Sequence, residues 1–308
     1  MNPKIVVIGS TNTDMVIKAE HLPKPGETIL GGTFFMNPGG KGANQAVAAA
    51  RLGSKVTFIS KIGNDIFGRQ AVQLFEEEGI NTSHIFSDPN NPSGVALITI
   101  DNHAENCIVV ASGANASLHP KDIMKAKQVI EDATFVLLQL EIPIDTVEFI
   151  ADMANLSNIR IILNPAPAPA QPLSDNLMKN LYIITPNRVE AEMLTGIKVK
   201  DIASAKLAAQ AIQEKGVEIV IITLGEQGAL ILDKNVFIEI PAEKVIAVDT
   251  TAAGDVFNAA LTVALSEGRY IVDAVKYANK AASIAVTRLG AQSSAPYKNE
   301  VNLLVDVD

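Results

Sequence analysis

From about residue 120 onward the chain alternates between helical patterns and short β-branched apolar runs, and that alternation narrows the folds open to it. The runs at 135–139, 160–163, 182–185 and 218–224 read as strands buried on both faces, as in a parallel sheet. Helical patterns at 121–131, 144–155, 201–215, 253–266 and 270–287 fall between or after them. Strand–helix alternation of this kind predicts an α/β chain with a mostly parallel sheet covered by helices on both faces. Runs at 5–9 and 55–61, with helices at 42–52 and 66–78, extend the same pattern toward the N-terminus.

Two stretches break it. Residues 15–35 hold two short extended runs around a Pro/Gly turn at 23–26, and 95–100 pairs with 106–110 as a hairpin around 101–105. Neither has the helix that a sheet crossover requires. They are expected to form a small β appendage, at about 12–36 and 93–112, lying over the ligand side of one domain spanning 1–308. A lid there could exclude water from a reaction site. Its open edges could also pair between subunits, so a homodimer is expected.

The bulk properties exclude several function classes. No apolar run of 18 or more residues is free of polar interruption, which argues against a membrane helix. A net charge of −9 without any Lys/Arg block makes nucleic acid a poor partner. An acidic chain that handles an anionic ligand must supply local donors or a metal ion. The four histidines (His21, His84, His103, His119) have no metal-ligand spacing. Cys107 is the single cysteine, and residues 1–9 show no basic-then-apolar leader, so a cytoplasmic location is expected.

Three motifs carry chemistry. The first is Asp249-Thr-Thr-Ala-Ala-Gly-Asp255, where a β-branched run at 245–248, read as a strand, meets a helix beginning near Ala253. Small residues at a helix start let backbone N–H groups approach an anion, and the helix dipole favours negative charge there. Asp255 sets a carboxylate in that same turn. Beside a bound phosphate it would be a base aimed at an incoming hydroxyl, and an anion hole with a base is what phosphoryl transfer to an alcohol requires. Taken alone, the stretch is also the pattern of a capped helix after a tight turn.

The second is Asn37-Pro-Gly-Gly-Lys-Gly-Ala-Asn-Gln-Ala46, in which glycines surround Lys41 at a helix start. It is not a Walker A loop, because Gly42 and not Ser or Thr follows the lysine. Lys41 and Asn44 suit hydroxyl recognition, although a glycine turn with a solvated lysine has the same sequence. The third is Ser10-Thr-Asn-Thr-Asp14. Asn12 and Asp14, two apart after a strand, point to one side and suit neighbouring hydroxyls, or serve as turn residues. No G-x-G-x-x-G turn follows the first strand, which excludes a dinucleotide-dependent dehydrogenase.

In this order and at these distances the three motifs resemble the ribokinase branch of the PfkB-type carbohydrate kinases. The resemblance continues through Leu140-Glu-Ile-Pro143, Asn164-Pro-Ala-Pro-Ala168, Thr185-Pro-Asn-Arg-Val-Glu190, Thr223-Leu-Gly-Glu-Gln-Gly228 and Val286-Thr-Arg-Leu-Gly-Ala-Gln292, and covers essentially the whole chain. It implies a Rossmann-like three-layer core with a small β lid. It also implies ATP-dependent phosphorylation of D-ribose at O5, with deoxyribose, fructose or a nucleoside as alternative acceptors. A sugar-binding sensor without turnover is the reading of a different class, and it would be marked by a lost base or a broken anion hole.

Carried over residue by residue, the resemblance makes Asp255 the general base and the N–H groups of Ala252, Ala253 and Gly254 the anion hole. Asn12, Asp14, Gly40, Lys41, Asn44 and Glu141 would bind the sugar, with Asp255. ATP would be held by Asn187, by Thr223, Leu224, Gly225, Glu226, Gln227 and Gly228, and by Gly254 and Asn279. Glu190 would serve Mg²⁺, which keeps most of its waters and needs few carboxylates. An activating K⁺ would fall on Asp249 and Thr251, on backbone groups of Ala285, Arg288 and Gly290, and on Ser294. Arg188 and Val189 stand where polar or acidic residues are more usual in the family, and are read as spacers.

Overall fold

The computed structural model describes residues 4–103, 105–169 and 171–303; Ala104, Ala170 and the two ends of the expected 1–308 domain lie outside them. Among the described residues, nine strands form one sheet. In chain order they are β1 (Lys4–Ile8), β4 (Lys55–Gly63), β5 (Asn81–Asp88), β8 (Phe135–Leu138), β9 (Arg160–Leu163), β10 (Ile183–Ile184), β11 (Ile219–Thr223), β12 (Ala229–Asp233) and β13 (Val236–Ile240). Their order across the sheet is β13-β12-β11-β10-β9-β8-β1-β4-β5, parallel from β11 to β5, with β12 and β13 added antiparallel at one edge.

Successive residues of the central strands serve opposite faces. Ile5, Val7, Phe135 and Leu137 join one core cluster, whereas Val6, Ile8, Val136 and Leu138 join the other. That period-2 division explains why these strands are apolar throughout, because both faces are covered by helices. Helices α1 (Lys41–Arg51), α2 (Ile66–Glu77), α9 (Ala253–Ser266) and α10 (Ile271–Ala285) pack on the first face. The second is covered by α3 (Pro120–Lys125), α4 (Lys127–Glu131), α5 (Ile144–Leu156), α6 (Asp175–Lys179), α7 (Arg188–Thr195) and α8 (Ile202–Gln213). A short α11 (Lys298–Leu303) follows.

A separate four-stranded sheet comprises β2 (Asn12–Lys18), β3 (Thr33–Gly39), β6 (Gly94–Ile100) and β7 (Asn106–Ala111), in the order β3-β2-β6-β7. The pairing is antiparallel except between β2 and β6.

Three expectations need correction. Residues 245–248 are not a strand: the sheet ends at β13, and this segment docks on the end of α10, with Val248 N and Asp249 N both donating to Val286 O. Its β-branched residues pair with no strand, and Ile246 lies almost fully exposed. The helix expected over 121–131 breaks at Ala126 into α3 and α4. Finally, β5, β12 and β13 were not foreseen; β5 and β13 are edge strands whose exposed faces interrupt the apolar run expected of a buried strand.

Candidate active site

The parallel strands deliver their chain ends to one side of the sheet: Gly9–Asn12 after β1, Gln139–Glu141 after β8, Asn164 after β9, Asn187 after β10 and the Thr223–Gly228 turn at the end of β11. The N-termini of α1 and α9 meet there. Open α/β sheets place their ligand sites at this carboxyl edge.

Gly40 turns the chain from β3 into α1 at φ +90°, and a Cβ on it would lie 2.7 Å from Asn12 N. That close approach brings Lys41 under the β2 strand. Gly39 is equally constrained, since a Cβ there would come within 2.3 Å of the Asp14 carboxylate. Lys41 N and Ser10 Oγ donate to Glu141 Oε2 at 3.0 and 2.5 Å. The Asp255 carboxylate, 5% exposed, accepts from two neighbours on α1: Asn44 Nδ2 to Oδ2 and Gln45 Nε2 to Oδ1, each at 2.9 Å.

One lysine therefore stands among several acids. Lys41 is pushed above the usual lysine range, chiefly by Asp255 and against its own burial, with Glu141, Glu190 and Asp14 adding to the effect. Burial raises Asp255; Lys41, Asn44 and Gln45 oppose that rise. Asp14 is pushed up to about 6 by burial and then by Glu141 and Asp255. Burial also raises Glu190. Acids outnumber the one lysine here, and burial leaves their charge poorly compensated.

One cavity reaches this cluster at Glu141, and a second comes up to Gly254 and Asn187, next to Asp255 and Glu190 in the structure. The smaller, of about 340 Å³, includes Asn12, Ser112, Asn115, Leu140, Glu141 and Pro167 in its wall. Asp14, Gly40, Lys41 and Asn44 do not line it; they belong to the charged cluster around Lys41 and Asp255. The larger, of about 960 Å³, is lined by every residue expected to hold the nucleotide: Asn187, the six residues Thr223 to Gly228, Gly254 and Asn279. Ala253, Thr250, Phe257 and residues 242–245 are also in its wall.

Local geometry fixes the remaining candidates. Ala252 takes the left-handed conformation at φ +59°, which starts α9 with its N–H groups turned outward. The Ala253 N–H is committed within the turn, donating to Thr250 O at 3.2 Å, so Ala252 and Gly254 are the better-placed donors of the expected anion hole. Asn187 caps α7 reciprocally with Glu190: its Oδ1 accepts from Glu190 N, and its own N and Nδ2 donate to the Glu190 carboxylate. Asn279 Nδ2 donates to Pro241 O at 3.1 Å.

Arg188 is more than a spacer. It lines the larger cavity, and its Nη2 donates to Gln227 Oε1, tying α7 to the 223–228 turn. Asp249 accepts from Thr251 N and Gly290 N, both at 2.9 Å. Burial would raise it, but the Thr251 side chain together with these backbone bonds outweighs burial and holds it below the usual carboxylate range. Ser294 is fully buried, its Oγ donating to Ala291 O, while the Arg288 side chain turns away to pair with Glu300.

Sequence reasoning passed over Gln45, Asn115, Gln139 and Asn258. Asn258 Nδ2 donates to Gly254 O at 2.8 Å, and its Oδ1 accepts from Thr185 Oγ1, so it braces the first turn of α9. The signal available was position: Asn258 lies one helical turn after Gly254, and Gln45 directly follows Asn44.

Residues 2–298 match the family described as pfkB family carbohydrate kinase. The chain belongs to that family. This family member is 45% identical over 300 residues to a curated ribokinase of Haemophilus influenzae, covering 97% of each chain. It is 37% identical over 298 residues to a deoxyribokinase of Salmonella typhi, again covering 97% of each. Its fold superposes on the structure of Arabidopsis thaliana ribokinase complexed with ribose and ATP, with a TM-score of 0.94, 30% identity and all of both chains covered.

Proposed function

We propose that this PfkB-family kinase transfers the γ-phosphoryl group of ATP to O5 of D-ribose, releasing D-ribose 5-phosphate and ADP. The observation that carries the reading is the position of Asp255. Its neighbour Gly254 lines the larger cavity, while its carboxylate is bonded to Asn44 in the cluster of Lys41, Asp14 and Glu141. An alcohol held by Asn12, Asp14, Gly40, Lys41, Asn44 and Glu141 would meet that carboxylate from one side, and phosphates in the larger cavity from the other.

Asp255 takes the proton of the O5 hydroxyl as O5 bonds to phosphorus. The bond to the bridging oxygen breaks, and its electron pair leaves with ADP. The N–H groups of Ala252 and Gly254, backed by the α9 dipole, face the charge on the transferring group. A positioned base contributes about 10²- to 10⁴-fold in rate. The names of the Haemophilus and Arabidopsis relatives support ribose as the acceptor.

The donor set also fits two cations. Glu190 can hold Mg²⁺ through water, since each of its oxygens accepts one bond from Asn187 and keeps a further lone pair. Asp249, held ionised, with Thr251, Ser294 and backbone groups of Ala285, Arg288 and Gly290, offers oxygen ligands suited to K⁺. When bound, the two would neutralise phosphate charge and stiffen the 252–255 turn. We read the four-stranded sheet as a lid on a single α/β domain, and its outer face as the contact of a homodimer.

The test is ADP release with ATP and Mg²⁺ across ribose, 2-deoxyribose, fructose and adenosine, beside Asp255→Asn. Ribose-dependent turnover that the variant loses by at least about 100-fold is expected. Preference for another acceptor overturns the substrate, and ribose binding without ADP release by the wild type overturns the kinase reading in favour of a sensor.

A further inference from the structure

Gln45 and Gln139 are both fully buried, and the phosphoryl-transfer scheme leaves both unused. Gln45 lies on the first turns of α1. Its Nε2 donates to Asp255 Oδ1 at 2.9 Å and to Asn164 Oδ1 at 3.2 Å, and its Oε1 accepts from Gln139 Nε2 at 2.6 Å. A primary amide taken wholly out of water is costly unless its groups are bonded, and Gln45 has both ends bonded. Gln139 Oε1, by contrast, is buried without a partner, so this pair is not arranged for stability alone.

The order of donors sets a direction. Because the ionised Asp255 carboxylate and Asn164 Oδ1 can only accept, Gln45 must turn its N–H groups to them, which aims its oxygen at Gln139 and calls for N–H from Gln139; the flipped Gln45 amide would oppose two acceptors at Asp255 and two donors at Gln139. The chain makes room for this arrangement at the end of β1, where a Cβ on Gly9 would lie 2.0 Å from Gln139 Oε1.

We propose that Gln45 is a positioning residue for the base, held at its oxygen by Gln139, and that the two fix the Asp255 carboxylate from its buried side while Asn44 holds the other oxygen. The proposal rests on Asp255 being the base. Charge-assisted bonds of this kind favour the ionised carboxylate. Lys41, Glu141, Asp14 and Glu190 are the charged groups acting on this site, and all of them stay in place when either glutamine is replaced.

The experiment measures ribose phosphorylation by full-length Gln45→Met and Gln139→Met from about pH 5 to pH 9. For Gln45→Met, kcat is expected to fall roughly 10- to 100-fold, with KM for ATP within about twofold. The acid limb of kcat/KM is expected to move up by about one pH unit, because the base loses a donor to its charged form. Gln139→Met should move the limb in the same direction by less, and gives the reading if Gln45→Met does not fold. An acid limb unmoved in both variants overturns the proposal, whatever the change in kcat. Asp255→Asn separates the two ideas: if that variant still turns over, the base assignment itself fails, whereas an inactive Asp255→Asn with unshifted glutamine variants defeats only the positioning role.

Discussion

Asn115 Nδ2 donates to Asn12 Oδ1 at 2.8 Å, and this bond decides which end of the Asn12 amide faces the smaller cavity. Asn115 is itself fixed, accepting from Thr11 N at 2.9 Å and donating to Thr11 O at 3.1 Å. With its oxygen taken, Asn12 offers N–H, so a sugar hydroxyl bound there, as proposed, would have to accept. A sugar lacking that hydroxyl leaves a buried donor unpaired, which costs about 1–3 kcal/mol.

Asn115→Leu is therefore expected to narrow the preference for ribose over 2-deoxyribose by roughly tenfold, since a freed Asn12 amide can rotate. The measurement is kcat/KM for both sugars in wild type and variant. An unchanged ratio would show that Asn12 does not read the hydroxyl through this orientation.

Asp14 gives a pH-dependent expectation for the sugar-free protein. Its carboxyl is pushed from 3.8 to about 6, first by burial and then by Glu141 and Asp255, with Lys41 pulling the other way. A folded value above the unfolded one means that ionisation favours the unfolded chain. The contribution of Asp14 is thus fully present below about pH 4 and is lost as pH rises through about 6. Asp14→Asn should stabilise the sugar-free protein by roughly 1–3 kcal/mol at neutral pH, with the gain vanishing near pH 4. Urea unfolding at the two pH values measures it, and a less stable variant at neutral pH contradicts the assignment.

How far the sequence discloses this molecule depends on the kind of residue. Phe135–Leu138 and Arg160–Leu163 could be read because double burial demands an unbroken apolar run, and the helix at Ala253 because small residues and an acid announce its start. Edge strands β5 and β13 carry no such demand. The 245–248 segment shows the converse, where β-branched residues went unpaired. In the site, Lys41, Asn44 and Asp255 stood out through glycine and charge, whereas Gln45, Gln139 and Asn115 are neutral amides. Such groups gain meaning only from the partner that long-range contacts supply, and those partners lie 104 to 210 positions away for Asn115 with Thr11 and for Gln45 with Asp255.

The outer face of the lid should carry the subunit contact. Odd-numbered β2 residues point away from the site, and register aligns Met15 with Met36 and Leu97, and Ile17 with Phe34. Ile17, Phe34, Met36, Leu97 and Val109 are all exposed, forming a continuous apolar patch. Wild-type protein is expected to sediment as a dimer of the 32.6 kDa chain, and Phe34→Asp with Leu97→Asp as a monomer. A wild type that stays monomeric at high concentration removes this interface.

Asp249 links the turn that opens α9 to the loop after α10. Its two carboxylate oxygens accept from Thr251 N and Gly290 N, and its own N–H joins that of Val248 on Val286 O. The far side of that loop is anchored by Arg51, at the opposite end of α1 from Lys41, whose Nη1 donates to Gln292 O and Ala295 O. The loop is thus held by two side chains, Asp249 at Gly290 and Arg51 at Gln292 and Ala295. A cation bound to Asp249 would add charge beside the 252–255 turn without contacting the sugar, and its effect should fall on kcat more than on KM for ribose. K⁺ is expected to raise wild-type turnover, and Asp249→Asn, which keeps the side chain's size and one acceptor, should respond to K⁺ weakly or not at all. A K⁺ titration of initial rates at constant ionic strength decides it: equal activation of wild type and variant would mean that the cation, if it acts, is held elsewhere.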